Sequence, residues 1–280
     1  MNHPDSANPN HSHTQALING HQDLHLSLLD RGLAYGDGVF RTFPVQHGKP
    51  QHWALQYKKL ANDCAVLNIE CPSQEALLAD IQTLFDAEDG VAKIIVTRGE
   101  SVRGYGYPSD IKSNRIVLKQ RSPEYPPSNR EHGVHLYLCD LRLSHQPKLA
   151  GIKHLNRLEN VLARAEWNDF NIADGVLLDV DGNVIECTMS NIFARFGDQL
   201  LTPLLNHCGV AGVTRERILN DASRLNLQAK QANISLTKLM QADEIIICNS
   251  LFGAWQVIEF NHKYWKKQPL ADQLTALLAS

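Results

Sequence analysis

Short runs of apolar, often β-branched residues, bounded by turn residues, recur along this chain and limit the folds that it can adopt. Between them stand segments whose apolar residues recur every three or four positions, as on the buried face of a helix. The strand-like runs are AKIIVTRG, NRIVLKQ, VHLYLCDLRLS, GVLLDVDGNVIEC, NIFARFGDQLLTP and DEIIICNS. Because strands and helices are mixed without an internal repeat, the sequence predicts an α+β fold and excludes a solenoid.

A change of composition at residues 121–133 divides the chain. Three prolines stand there among polar residues, in RSPEYPPSNREHG, which is typical of an interdomain linker. We therefore predict a smaller α+β domain at residues 17–120 and a larger one at residues 134–280. Residues 1–16 are polar and are predicted to form a disordered tail. Its histidines, which could also bind a metal adventitiously, are His3, His11 and His13.

Helical periodicity is clearest in three places. In the smaller domain the apolar stripes are Trp53, Tyr57, Leu60, Cys64 and Leu67, and then, in a helix from about 73 to 85, Leu77, Ile81 and Leu84. In the larger domain GVTRERILNDASRLNL predicts one helix with an apolar side formed by Ile218, Leu219, Ala222 and Leu225.

Charge and cysteine content exclude several classes of protein. The formal net charge is −3 and the sequence pI is about 6.5, so neither nucleic acid nor an anionic membrane is an expected partner. The six cysteines are scattered without a C-x-x-C pair, which indicates a reducing compartment. The N-terminal residues do not resemble a signal peptide, and no apolar run is long enough to suggest a membrane span. We expect a cytoplasmic protein with no metal cofactor.

Lys153 stands just before a predicted helix in AGIKHLNRLENVLARAEW, residues 150–167. Asn156 and Glu159 resemble a capping box, so this helix should start near Asn156. The residues expected to face the core are Leu155, Leu158, Leu162 and Ala165. Desolvation at such a position can make a lysine amine nucleophilic, but an ordinary surface lysine fits the spacing as well.

Other candidates for chemistry are anion-binding and buried charged groups. Val213 and Thr214 follow two glycines at a predicted helix start, where backbone N–H groups can bind phosphate, although a simple Thr N-cap is an alternative. Glu186 lies in a predicted buried strand and needs a cationic partner, either a protonated pyridine nitrogen or an internal arginine. Arg98 and Arg103 suit a substrate carboxylate or a solvated turn.

A lysine amine, a phosphate site and a buried carboxylate together are the groups that pyridoxal phosphate requires. In these residues and in the motifs around them, the chain resembles the superfamily of D-amino-acid and branched-chain aminotransferases, the fold-type IV pyridoxal-phosphate enzymes. The resemblance runs from about Leu17 to Phe252, through the motifs LINGH, DRGLAYGDGVF, TRGESVRGYGY, LAGIKHLNRLENVLAR, VIECTMSNIF, GVAGVTR and ADEIIICNS. Within the superfamily, KHLNRLE is most similar to the aminodeoxychorismate lyases.

The resemblance implies a two-domain fold with the cofactor between the domains, and it assigns roles to individual residues. Lys153 would hold the cofactor covalently and Glu186 would pair with its ring nitrogen. The phosphate would be bound by Val213 and Thr214 with help from Ser250, and by Lys59, which stands where the family usually has an arginine. Thr42 is implied as a proton-handling group. Arg103, Arg98 and Asn249 are implied in substrate binding.

The resemblance also implies a substrate and an assembly. The substrate would be 4-amino-4-deoxychorismate, which is converted to p-aminobenzoate and pyruvate for folate biosynthesis, and the protein would be a homodimer. Two rivals stay open: a transaminase acting on D-amino acids or branched-chain amino acids, and a binding protein without catalytic activity in which Lys153 is solvated.

Overall fold

The chain consists of two units, one ending at Pro123 and the other beginning at Glu124, in a computed structural model that describes residues 15–22 and 25–279. This boundary lies within the predicted linker, residues 121–133. The last part of that range forms a short helix in the second unit. Each unit has its own sheet and its own apolar core.

The first unit is a five-stranded antiparallel sheet with helices packed on one face. Its elements are β1 (Gln15–Ile18), α1 (Arg31–Tyr35), β2 (Gly38–Gln46), β3 (Lys49–Pro50), α2 (Trp53–Val66), α3 (Gln74–Phe85), β4 (Gly90–Thr97) and β5 (Asn114–Gln120). The strand order is β1-β5-β4-β2-β3. Alternation along β2 buries Phe43 against Leu60 of α2 and Ile81 of α3 in one cluster, because successive side chains of a strand point to opposite faces.

The second unit is built on a nine-stranded mixed sheet. Its elements are α4 (Ser128–Glu131), β6 (Val134–Leu143), α5 (Leu158–Arg164), β7 (Ile172–Asp179), β8 (Val184–Cys187), β9 (Asn191–Phe196), β10 (Gln199–Pro203), α6 (Val213–Asp221), β11 (Gln228–Ala232), α7 (Leu236–Met240), β12 (Glu244–Asn249), β13 (Gly253–Phe260), β14 (Lys263–Tyr264) and α8 (Leu270–Ala279). The order is β11-β10-β9-β12-β13-β6-β7-β8, with β14 paired to β13.

The sheet of the second unit has apolar clusters on both faces. Ile246 on one face of β12 packs with Ile218 of α6 and Leu274 of α8. The alternate residues Ile245 and Ile247 belong to a second cluster, so this strand is buried on both sides. Such burial explains why EIIICN is a continuous apolar run and not an alternating one.

The six predicted strand runs and the predicted helices α2 and α3 are confirmed, as is the α+β fold class. Within residues 15–22 and 25–279, no helix combines the length and apolar composition needed to cross a membrane. The predicted tail was too long by two residues, since Gln15 and Ala16 pair with Lys119 and Leu118 in β1 and β5. Residues 1–14, with the three histidines of the predicted tail, lie outside the described residues.

The prediction for the helix after Lys153 was wrong in two respects. The helix α5 begins at Leu158 without a side-chain cap, and Glu159 accepts a hydrogen bond from the Ser144 backbone N–H at 2.8 Å instead of closing a capping box. Leu158 and Leu162 are 75% and 60% exposed, and Ala163 is the buried residue of this helix. A tertiary contact therefore overrode the local capping pattern, and the apolar stripe faces away from the unit's core.

The predicted helix GVTRERILNDASRLNL is also shorter than expected. The helix α6 ends at Asp221 and continues as a 3-10 turn at Ala222–Leu225. Asn226 then adopts a left-handed conformation with φ of 59°, which ends the helical segment. Ile218 and Ala222 are buried as predicted, whereas Leu219 and Leu225 are half-buried.

Gly99 and Gly104 allow a matched test of backbone strain at the loop after β4. Both have positive φ, but a Cβ on Gly99 would lie 1.9 Å from the Lys112 carbonyl oxygen, whereas a Cβ on Gly104 would meet nothing within 4 Å. We expect Gly104→Ala to lower the free energy of unfolding by about 1 kcal/mol and Gly99→Ala to lower it by about 3 kcal/mol. Both substitutions place alanine at a positive φ, but only Gly99→Ala also displaces backbone atoms. Equal losses in chemical denaturation would contradict this account.

Candidate active site

Glu186 of β8 is a buried carboxylate around which the second unit gathers its predicted site residues. It is 3% exposed, and its Oε2 accepts a hydrogen bond from the Val210 backbone N–H at 2.8 Å. Among the described residues no other group donates to this carboxylate, and no arginine forms an ion pair with it within 4.0 Å. The internal salt bridge that the sequence allowed is therefore not observed, and one carboxylate oxygen is left for another donor.

The electrostatic setting of Glu186 favours a cationic partner. Burial raises the pKa of this carboxyl to about 7, while the positive charges of Arg157 and Lys153 act in the opposite direction. Lys153 and Arg157 therefore lie close enough to influence it. A protonated nitrogen that donates a hydrogen bond to this carboxylate stabilises its charged form, because the pairing offsets the cost of desolvation.

Backbone pairing brings the loop of Lys153 next to the segment that leads into α6. The Gly151 N–H donates to the Gly209 carbonyl at 2.9 Å, and the Ala211 N–H donates to the Gly151 carbonyl at 3.0 Å. Gly209 has a φ of +85°, and a Cβ there would lie 2.6 Å from a side-chain atom of Ile185. Glycine is thus required for this close approach. Lys153 itself is half-buried beside buried Ile152.

The N-terminus of α6 presents free backbone donors. Gly212 is the N-cap and supplies no side-chain acceptor, so the predicted alternative of a Thr N-cap is wrong. The N–H groups of Val213 and Thr214 lie in the first helical turn, where no intrahelical acceptor exists. Asn191 fixes the approach to the helix, since its Nδ2 donates to the Val210 carbonyl at 2.7 Å and its Oδ1 accepts from the Gly212 N–H at 3.1 Å. An anion fits this position.

Asp174 organises the turn after β8, a role that was not predicted from the sequence. This buried carboxylate accepts from the hydroxyls of Thr188 at 2.6 Å and Ser190 at 2.7 Å, and from the backbone N–H of Gly175 at 2.8 Å. Burial raises its pKa despite these hydrogen bonds. The feature of the sequence that could have indicated this role is an aspartate within an otherwise apolar strand.

Asn249, at the end of β12, also holds this region together. Its Nδ2 donates to the Met189 carbonyl at 3.3 Å, and its Oδ1 accepts from the N–H groups of Leu251 at 2.9 Å and Phe252 at 3.0 Å. These bonds shape the turn, and the role of Asn249 in substrate binding stays a prediction. The next residue, Ser250, is half-buried.

In the first unit, Arg98 is a structural residue. It is 6% exposed, and it pairs with Asp37 through two hydrogen bonds, from Nε at 2.7 Å and from Nη2 at 2.9 Å. Its guanidinium also donates to the carbonyls of Leu67 at 2.7 Å and Asn68 at 2.9 Å. Although burial raises the pKa of Asp37, hydrogen bonds from Arg98 and then Arg31 outweigh burial and lower it. The predicted contact between Arg98 and substrate conflicts with these bonds.

Arg31 of α1 shapes the loop that carries Arg103, a role that was not predicted from the sequence. Besides Asp37 at 2.9 Å, its guanidinium donates to the Ser101 hydroxyl at 2.8 Å and to the carbonyls of Gly104 and Tyr105 at 3.0 Å. Arg103 is exposed at the surface of this loop. A buried arginine thus fixes the backbone from which an exposed arginine extends.

Thr42 and Lys59, the other two predicted site residues, also belong to the first unit. Thr42 lies on β2 opposite Lys93 of β4, on the face that does not carry the buried Phe43. Lys59 is half-buried on α2 beside fully buried Leu60. Both side chains are therefore attached to well-packed elements.

The residues of the second unit fit pyridoxal phosphate. The carboxylate oxygen of Glu186 without a donor suits the protonated ring nitrogen, and the uncapped N–H groups of Val213 and Thr214 suit the phosphate. Lys153 supplies the amine that such a cofactor needs. The hydrogen-bonded loops described above hold all three features in one region of the unit.

Comparisons with known proteins identify the family of this chain. The amino-transferase class IV family matches residues 38–260. The aminodeoxychorismate lyase of Vibrio harveyi is 38% identical over 239 residues, covering 84% of this chain and 88% of that protein. The corresponding lyase of Bacillus subtilis is 29% identical over 237 residues, covering 82% and 80%.

A solved structure is similar over nearly the whole chain. The crystal structure of 4-amino-4-deoxychorismate lyase from Pseudomonas aeruginosa is 41% identical, with a TM-score of 0.89, and the match covers 94% of this chain and 97% of that one. The fold-type IV resemblance and the cofactor, pyridoxal phosphate, are confirmed. The chain belongs to the amino-transferase class IV family of pyridoxal-phosphate enzymes.

Proposed function

We propose that this protein is a lyase that converts 4-amino-4-deoxychorismate to p-aminobenzoate and pyruvate, in the synthesis of folate. The observation that carries the proposal is the similarity to two lyases at 38% and 41% identity over most of the chain. The sequence KHLNRLE, which begins at Lys153, favours a lyase over a transaminase within the same superfamily. The predicted reaction and enzyme class agree with these comparisons.

In the second unit, we assign the cofactor to Lys153, Glu186 and the start of α6. Lys153 Nζ holds the cofactor, and Glu186 accepts a hydrogen bond from its ring nitrogen. Val213 and Thr214 bind its phosphate through backbone N–H groups, with the hydroxyl of Ser250 as a further donor. When bound, pyridoxal phosphate supplies an electron sink for the carbon that loses a proton.

We assign Lys59 and Thr42 of the first unit to supporting roles in the same reaction. Lys59 contributes positive charge to phosphate binding in place of the family's usual arginine, but a lysine lacks the two-pronged geometry of a guanidinium. The hydroxyl of Thr42 handles a proton. The half-buried positions of both residues restrict their side chains without removing them from solvent.

We assign substrate carboxylate binding to Arg103 and not to Arg98. The guanidinium of Arg98 is already engaged by Asp37 and two carbonyls, whereas Arg103 extends from a loop whose backbone Arg31 holds. An exposed guanidinium on a fixed backbone can bind a carboxylate with two parallel hydrogen bonds.

The residues act in a definite order in the proposed reaction. Lys153 Nζ would hold the cofactor and, once the substrate amine has taken its place, would be the base that removes the proton from the ring carbon that bears nitrogen. Glu186 stabilises positive charge at its partner nitrogen throughout. Pyruvate leaves from the neighbouring carbon, and the ring becomes aromatic. Lys153 would hold the cofactor again after p-aminobenzoate leaves, so no amino acceptor would be consumed.

We also propose a cytoplasmic homodimer. The exposed apolar side chains on α5, Leu158, Val161 and Leu162, support association with a second surface. All six cysteines are free thiols, which is typical of a reducing compartment.

Replacement of Lys153 tests the proposed reaction. In a mixture of the protein, pyridoxal phosphate and 4-amino-4-deoxychorismate without keto acid, we expect equal amounts of p-aminobenzoate and pyruvate. Lys153→Ala should lower the rate by about 10³-fold or more, because the amine moves the proton. Lys148→Ala is the matched control, since Lys148 is an exposed lysine of the same loop. Turnover that requires a keto acid would indicate the transaminase instead.

Replacement of the two candidate arginines distinguishes substrate binding from structural support. Arg103→Ala should raise KM about tenfold to a hundredfold without changing thermal stability, because it removes a charged hydrogen bond to substrate only. Arg98→Ala should lower the free energy of unfolding by about 3 kcal/mol or more, because it leaves Asp37 without its main partner. A stable Arg98 variant with a raised KM would reverse the assignment.

The carboxyl of Glu186 should impose a pH dependence on stability when the cofactor is removed. Its pKa is raised from 4.5 to about 7 in the folded protein, so the folded state holds this proton more tightly than the unfolded state. Relative to Glu186→Gln, the wild-type protein should lose roughly 3 kcal/mol of unfolding free energy as the pH rises from about 4.5 to about 7. Parallel pH profiles of the two proteins in chemical denaturation would contradict the burial of this charge.

A further inference from the structure

A small cavity of the second unit lies at the turn between β7 and β8. Its volume is about 150 Å³, and neither Lys153 nor Glu186 lines it. The cavity is therefore distinct from the site assigned to the cofactor. Its polar lining consists of two carboxylates, three amides and one imidazole, which belong to Asp179, Asp181, Asn183, Asn206, Asn233 and His207. A polar cavity of this size has room for an ion together with water molecules.

His145, in the segment that follows β6, adds a second imidazole to this group. Its Nε2 lies 3.0 Å from Oδ2 of Asp179. One ligand atom each from His145, Asp179 and Asp181 lie within 4.8 Å of one another. An imidazole nitrogen with two carboxylate oxygens is a set of donors that Zn²⁺ accepts in proteins. No metal site was predicted from the sequence, because residues 145 and 179 are far apart in the chain.

The backbone of the turn fixes the carboxylate of Asp179. This side chain is 4% exposed, and its Oδ1 accepts hydrogen bonds from the N–H groups of Asp181 at 3.1 Å and Asn183 at 2.8 Å. The Asn183 amide donates to both carboxylate oxygens, at 3.3 and 3.2 Å. Metal-binding carboxylates are oriented by hydrogen bonds of this kind. Oδ2, the oxygen nearer to His145, is therefore held in place as a ligand.

His207 holds the imidazole of His145 on its other side. The two rings are stacked, with centroids 4.8 Å apart and an angle of 26° between their planes. The backbone supports this stack, because the N–H of Gln146 donates to the His207 carbonyl at 2.7 Å. Two of the three candidate ligands, His145 and Asp179, are thus positioned by contacts that do not involve a metal.

The distance between these two ligand atoms suits a shared ion. Zinc binds nitrogen and oxygen at about 2.0–2.2 Å, so two ligand atoms on one ion lie roughly 3–3.5 Å apart. The separation of 3.0 Å between His145 Nε2 and Asp179 Oδ2 is already close to that range. Asp181 is exposed, so its side chain can turn toward the ion without disturbing the core.

We propose that His145, Asp179 and Asp181 bind one Zn²⁺ ion at the edge of this cavity. The ligand atoms are Nε2 of the imidazole and one oxygen of each carboxylate, and water molecules in the cavity complete the coordination. The imidazole binds in its neutral form through a nitrogen without a proton, so a proton between His145 and Asp179 is lost to solvent. The two carboxylates balance the charge of the ion. Mg²⁺ is disfavoured because it prefers ligand sets made of oxygen alone.

The ion would connect two segments that lead to the proposed cofactor site. His145 lies in the segment between β6 and the loop of Lys153, whereas Asp179 and Asp181 belong to the turn from which β8 runs to Glu186. Zinc at this position therefore links the support of the amine to the support of the carboxylate. Its role is structural, and the residues assigned to the reaction stay the same.

Anomalous scattering from crystals of the cofactor-loaded protein tests the proposal directly. After a soak in zinc chloride, data collected at the zinc absorption edge should show a peak at about 2.0–2.2 Å from His145 Nε2 and from a carboxylate oxygen of Asp179. Absence of this peak overturns the proposal, and so do zinc peaks confined to the cysteines or to histidines elsewhere in the chain. Because the wild-type protein decides this result, it does not depend on how a variant folds.

Calorimetric titration with zinc in excess Mg²⁺ identifies the ligands in solution. His145→Ala and Asp181→Asn should each weaken the zinc affinity of this site by about a hundredfold or more, because each removes one of three protein ligands. His132→Ala is the matched control, since His132 is an exposed histidine of the same unit outside the cluster, and it should bind zinc as the wild type does. Equal zinc binding by the wild type and Asp181→Asn contradicts the assignment.

Discussion

The burial of one carboxylate, that of Glu186, is the constraint on which the site of the second unit depends. A desolvated carboxylate is costly, and within residues 15–22 and 25–279 one backbone N–H, that of Val210, donates to it. The loop before α6 must therefore approach β8 closely, which requires glycine at position 209. The same approach places the loop of Lys153 and the first turn of α6 beside the carboxylate. One electrostatic requirement thus brings together three parts of the proposed cofactor site.

A different electrostatic arrangement organises the first unit. Asp37 receives hydrogen bonds from two buried guanidinium groups, those of Arg31 and Arg98, and these groups in turn hold backbone carbonyls on both sides. This hydrogen-bond network fixes the conformation of the loop that contains Gly104. Removing one partner of such a buried ion pair is strongly destabilising, whereas the intact pair adds little net stability because both charges are desolvated. These pairs therefore contribute more to the shape of the loop than to net stability.

The helix α5 shows how a sequence pattern and its tertiary setting can disagree. Leu158 and Leu162 form an apolar stripe with helical spacing, yet both are exposed within the described protein. The unit's core instead receives Ala163, because a small residue allows α5 to approach β6 and β7. The stripe is therefore available to contacts that the second unit does not itself provide, which agrees with the proposed association of two subunits.

The sequence by itself determined the strands, the α+β class, the family and the candidates Lys153 and Glu186, because periodicity and local motifs are properties of neighbouring residues. The tertiary structure alone decided which polar groups meet. It turned Arg98 inward onto Asp37 and brought the hydroxyls of Thr188 and Ser190 onto Asp174. Such contacts join residues far apart in the chain or in irregular segments. Their free energies depend on burial and distance, and a local sequence pattern determines neither.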